Sequence, residues 1–140
     1  MTIQLKRIKT HRDAQFHVAE ELRRRGYRVP PTLGNAPMGD LLAVSPEGKQ
    51  FKVAVKGLST KNFWLSKGRE PKDELFYVLV YIPIKDFLRF FVMSSDELMY
   101  EREEFKKDKE RRTGKYREEL GGFNWSKAIK YENKWDKLPT

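Results

Sequence analysis

Asp40 and Lys56 are the residues of this chain whose types and spacing best suit chemistry. Asp40 follows a run of turn formers, Gly34-Asn35-Ala36-Pro37-Met38-Gly39, and opens a strand-like run, Asp40–Ser45. Lys56 closes a second run, Gln50–Lys56, and the linker Pro46-Glu47-Gly48 has the length of a hairpin connection. A hairpin sets the two strands side by side, so the carboxylate and the ammonium reach one region of a sheet. A carboxylate can ligate Mg²⁺, and a nearby ammonium can position a water and oppose charge developing on a phosphate. The same residues have an ordinary structural reading, since Gly-Asp is common in turns and lysine is common at strand ends. Lys52 shares a face with Ala54 and Lys56 and is placed to meet a phosphate, while Phe51, Val53 and Val55 point the other way. Asn35 and Met38 either line a cleft beside Asp40 or shape its turn.

The elements that must position this pair follow from periodicity. Thr10 with Asp13 predicts a helix start resembling a capping box, and Ala14, Val18 and Leu22 predict an apolar helical face. Arg23-Arg24-Arg25 before Gly26 suits a basic last turn and a glycine just past the helix end. Tyr27–Val29 reads as a short strand and residues 57–74 as a polar loop. Leu75–Ile82 is nearly continuous apolar and suits a strand buried on both faces; Leu88–Met93 is a further strand. Ser94 and Glu97 form a capping box for a helix running to about Gly114. Tyr131, Trp135 and Leu138 fall on one helical stripe, with Trp135 in the core. Helix, hairpin strands, buried strand, strand and helix predict one α/β domain, a sandwich with a mixed central sheet.

The chain has 140 residues, 29 basic against 20 acidic, for a net charge of +9. The first 70 residues hold fourteen basic and six acidic side chains, +8 of that total. Such a balance favours a polyanion, nucleic acid before membrane. The absence of cysteine excludes disulfides, thiolate metal sites and thiol catalysis, and fits a reducing compartment. The most apolar stretch, 75–84, is about half a bilayer span and is broken by Pro83, and the N-terminus lacks the apolar core of a signal peptide. These features predict a cytoplasmic protein without a membrane partner. His11 and His17 are off any helical metal spacing and read as surface residues.

The stretch from Gln15 to Lys56 resembles the PD-(D/E)XK, or restriction-endonuclease-like, nucleases. The residues that carry the likeness are Leu22-x-x-x-Gly26-Tyr27 at the helix end, then Gly39-Asp40-Leu41-Leu42-Ala43, then Val53-x-Val55-Lys56-Gly57. Trp64 and the runs around Phe76–Val80 and Phe90–Val92 extend it over most of residues 12–95, with a helical extension at about 95–138. The chain is similar in this respect to small archaeal Holliday-junction resolvases and bacterial predicted endonucleases. The resemblance implies a restriction-endonuclease-like sandwich flanked by helices, with Asp40 as metal-binding aspartate and Lys56 assisting the attacking water. It implies a further metal ligand in the Val55 main-chain carbonyl, and it sets Gln15 where resolvase-like members carry a glutamate. Ala54 stands where the second metal-binding carboxylate belongs, so the site departs from the pattern. The expectation is a Mg²⁺-dependent (or Mn²⁺-dependent) DNA endonuclease, with Lys52 and Arg23, Arg24 and Arg25 on the DNA backbone and a homodimer by analogy. The alternative is a catalytically degenerate DNA-binding subunit of a repair, restriction or defence assembly; a basic protein–protein adaptor is a third reading.

Overall fold

The computed structural model describes residues 2–31 and 40–140. The turn at 34–39, with Asn35 and Met38, therefore lies outside the described residues. Helix α1 spans Ile3–Arg24 and is capped by Thr2, whose hydroxyl accepts from the Leu5 amide at 3.2 Å. This corrects the expected start at Thr10. The residues ahead of Thr10 are mostly good helix formers, and Asp13 is drawn into an i,i+4 pair with Lys9 at 2.9 Å instead of capping. Ala14, Val18 and Leu22 are completely buried along one stripe. Past the helix, Gly26 takes a left-handed φ of +92° and the chain turns back toward the sheet. Only Arg28 pairs there, in a single bridge to Val44, so the predicted strand at 27–29 shrinks to one residue.

Strands β1 (Asp40–Val44) and β2 (Gln50–Leu58) form the hairpin, closed by Gly48 at φ +90° and by the Ser45 amide donating to the Lys49 carbonyl. After a crossover at 59–74, which includes the short β3 (Trp64–Leu65), β4 (Leu75–Tyr81) lies parallel to β2. All seven residues of β4 are buried, as a strand covered on both faces requires. Strand β5 (Arg89–Ser94) runs antiparallel to β4, giving a mixed sheet in the order β1-β2-β4-β5.

Each face of this α/β sheet is covered. Helix α1 packs on the face carrying Val53, Val55, Val78 and Val92. The opposite face carries Ala54, Tyr77, Leu79, Phe91 and Met93, under helix α2 (Ser95–Thr113) and a small pairing of β3 with β6 (Gly122–Phe123). Helix α2 starts at the reciprocal Ser94–Glu97 cap and ends at Gly114, φ +70°. The C-terminal tail does not form the expected helical stripe. It folds as short 3₁₀ turns over Trp125–Tyr131 and Trp135–Lys137, with Asn133 at φ +56° between them. The Asn133 amide donates to the Phe90 carbonyl, so the tail passes along the free edge of β5. Tyr131 consequently packs on the α2 face, while Trp135 and Leu138 pack on the α1 face. Among the described residues no helix is long and apolar enough to cross a membrane.

Candidate functional site

The alternation of β2 sends Lys52, Ala54 and Lys56 toward the α2 face, and the register sets Asp40 and Tyr77 on either side of Ala54. Lys56, two positions along β2 from Ala54, is diagonal to Asp40, a spacing long side chains can span. The crossover at 59–74 then folds over this end of the row. Asp40, Lys52, Ala54, Lys56 and Tyr77 from the sheet, with Lys67, Gly68 and Arg69 from the crossover, line a cavity of about 310 Å³. Val55 contributes to the same wall. A second cavity shares Lys52 and Arg69 and a third shares Lys56, Lys67 and Gly68, so the three adjoin along one cleft.

Arg69 holds Asp40 in a fork. Its Nη1 donates to Oδ1 at 3.1 Å and its Nη2 to Oδ2 at 2.8 Å. The carboxylate is thus engaged on both oxygens. The crossover is fixed on each side of Arg69: the Arg102 Nε donates to the Ser66 carbonyl at 2.6 Å, and Ser95 Oγ exchanges hydrogen bonds with the Lys72 main chain. Burial lowers the pKa of the Lys56 ammonium; the Arg69 charge adds to that and Asp40 opposes it. Burial raises the Tyr77 phenol, which lies within the fields of Arg69, Asp40 and Arg102. His11 on α1 is half-buried, and burial, followed by the Lys56 charge, lowers its pKa.

Asp40, Lys52, Val55 and Lys56 therefore share one cavity, and Gln15 and the arginines at 23–25 are not among its lining residues. Gln15 lies on α1 beside Ala14, which packs against Gly57 next to Lys56. The Arg23 guanidinium donates to Glu20 at 3.0 Å and to the Val29 carbonyl at 2.7 Å, and Arg24 pairs with Glu21. Arg25 bonds Glu21 at 3.2 Å and lies 4.7 Å over the Trp135 ring. They sit by the hairpin turn, at the opposite end of β1 from Asp40 and roughly 13 Å along it. Arg69, Lys67 and Tyr77 are cavity residues that sequence reading missed. The one signal for Tyr77 was a hydroxyl in the middle of the apolar run Leu75–Val80; Arg69 and Lys67 lie in a segment without periodicity.

The donor set does not fit a divalent cation. Hard cations take several oxygens, preferably anionic. Here one carboxylate is present, both its oxygens already accept from Arg69, and Ala54 supplies no side-chain oxygen. Every Asp, Glu and His of the chain lies among the described residues, and no three of them come together as a metal-holding group. Four cations against one carboxylate make the cavity suited to an anion instead. The chain matches no protein-family model, no curated protein and no solved structure.

Proposed function

We propose that this chain is a DNA-binding protein with a degenerate nuclease-like centre, one that grips backbone phosphate in the Asp40–Lys56 cavity. The observation that carries this reading is the Asp40–Arg69 fork inside a cavity whose other charged walls are Lys52, Lys56 and Lys67. Phosphate contacts of this kind supply sequence-independent affinity that falls steeply with salt. In this reading the restriction-endonuclease-like resemblance describes the scaffold, and the chain serves as the DNA-binding subunit of a repair, restriction or defence assembly. Metal-dependent hydrolysis is the second reading, and it is favoured by one observation, that Asp40 and Lys56 line the same cavity.

Fluorescence anisotropy with duplex and branched DNA at several salt concentrations, beside cleavage assays in Mg²⁺ and Mn²⁺, separates these readings. Salt-sensitive binding is expected without cleavage, and Lys52→Ala with Lys56→Ala should weaken it about a hundredfold, some 1.4 kcal/mol for each lost phosphate contact. Cleavage that disappears in Asp40→Asn and in Lys56→Ala would establish hydrolysis instead. Cleavage gained in Ala54→Glu would show that only the missing oxygen silences the site. Negligible affinity near physiological salt would leave the adaptor reading. Light scattering on the free and DNA-bound chain tests the homodimer.

A further inference from the structure

Tyr77 is 1% exposed, and its hydroxyl is buried without a hydrogen-bond partner among the described residues. Buried hydroxyls are nearly always paired, so an orphan on a residue that lines a polar cavity points to a ligand that reaches it from that cavity. The groups around it have one character. Arg69 offers a planar fork, Lys56 three ammonium protons and Tyr77 one hydroxyl proton, and the sole acidic side chain on the wall is Asp40. The fork that Arg69 extends to the Asp40 carboxylate is the geometry with which arginine takes two phosphate oxygens. A planar carboxylate has no third oxygen to meet the tyrosine; a tetrahedral phosphate does.

We infer that Asp40 is the resident surrogate for a phosphate group: an incoming phosphate displaces its carboxylate from Arg69 and is held by Arg69, Lys56 and the Tyr77 hydroxyl. The inference rests on the DNA-binding reading for its macromolecular ligand and refines it, since Asp40 then restrains binding where a metal ligand would promote it. Released from Arg69, Asp40 stays beside the site and repels the phosphate, so its charge lowers affinity twice over. Strand-end phosphate, internal phosphodiester and free phosphate share this chemistry.

The test uses the full chain and three probes: inorganic phosphate, against chloride at matched ionic strength, and one DNA strand with and without a 5′-phosphate. Phosphate affinity is read by ³¹P titration and by thermal shift, DNA affinity by anisotropy. Asp40→Asn is expected to tighten phosphate binding about tenfold, and Tyr77→Phe to weaken it several-fold with the fold intact. A gain confined to the 5′-phosphorylated strand identifies a strand end as the ligand, and a gain with both strands identifies the backbone. Unchanged or weaker phosphate binding in folded Asp40→Asn overturns the inference while leaving DNA binding by the wild-type chain intact. Asp40→Ser serves the same comparison if the asparagine variant fails to fold. A wild-type chain that ignores both DNA strands, with a phosphate gain in Asp40→Asn, would sink the DNA reading and keep the subsite.

Discussion

Arg102 is 3% exposed on α2, yet its guanidinium is spoken for, by the Ser66 carbonyl and by the Glu118 carboxylate at 3.1 Å. It also fills the space that a side chain would need at Gly68, where a Cβ would come within 2.6 Å of Nη1. Arg102 is thus the post against which the Arg69 segment is laid. Arg102→Ala removes a buried hydrogen bond and opens a void under the crossover. We expect a loss of about 2–4 kcal/mol by chemical denaturation, and weaker DNA binding as Arg69 loses its support. His11 gives a second prediction at this scale. Its pKa lies below 6.5 in the folded chain, so between those two values the unfolded chain binds more protons. Stability should therefore fall as pH drops from 7 through the folded pKa. The stability difference between wild type and His11→Gln, followed over pH 7 to 5 by thermal melts, should shift against the wild type; a constant difference would refute it. Asp40, Ala54 and Lys56 were legible in the sequence because strand alternation and hairpin length dictate which side chains share a face. Arg69 and Tyr77 were not, since their arrival depends on a crossover and on the parallel Ala54–Tyr77 register, neither of which leaves a periodic trace.

Among the elements, α1 packs closely on β2 near the site. A Cβ at Gly57 would lie 2.8 Å from the Ala14 Cβ and 3.2 Å from the Thr10 carbonyl, so the helix backbone rests directly on the strand. Gly57→Ala must push α1 outward, because backbone and an alanine methyl have no rotamer to yield. A cost of about 1–3 kcal/mol is expected, with unchanged secondary structure by circular dichroism. Because Lys56 is the adjacent residue, the variant should also disturb the cavity, read as weaker DNA affinity. The hairpin, β4, β5 and the α2 cap were legible because each is set by local chemistry: alternation, a wholly apolar run, and a Ser-x-x-Glu box. The start of α1 and the course of the tail were misread for a common reason. Thr10 has capping chemistry that an uninterrupted helix overrides, and the 131–138 spacing has helical periodicity that pairing with the β5 edge overrides.

At the scale of the whole molecule the net +9 is not one surface. The basic cluster at 23–25 is partly neutralised by Glu20 and Glu21, with Arg25 also stacked on Trp135, at the hairpin-turn end of β1. The cations of the central cavity face one carboxylate there, at the other end, and Glu70, Glu74, Glu118 and Glu119 line the cavities that adjoin it. Counting charges alone, losing three arginines should harm DNA binding more than losing two lysines. The placement argues the reverse, because salt dependence reports the phosphates actually neutralised. Lys52→Ala combined with Lys56→Ala should flatten the slope of log affinity against log salt by about 2, one unit for each lost phosphate contact. Arg23→Ala, Arg24→Ala and Arg25→Ala together should flatten it by less than about 1, since their glutamate partners already screen them. The same triple change should lower thermal stability, through the lost Val29 carbonyl bond of Arg23 and the exposed Trp135 ring. Were the arginine triple to flatten the slope by about 3 and the lysine pair to leave it unchanged, DNA would bind at the hairpin-turn end and the cavity would have no part in holding it.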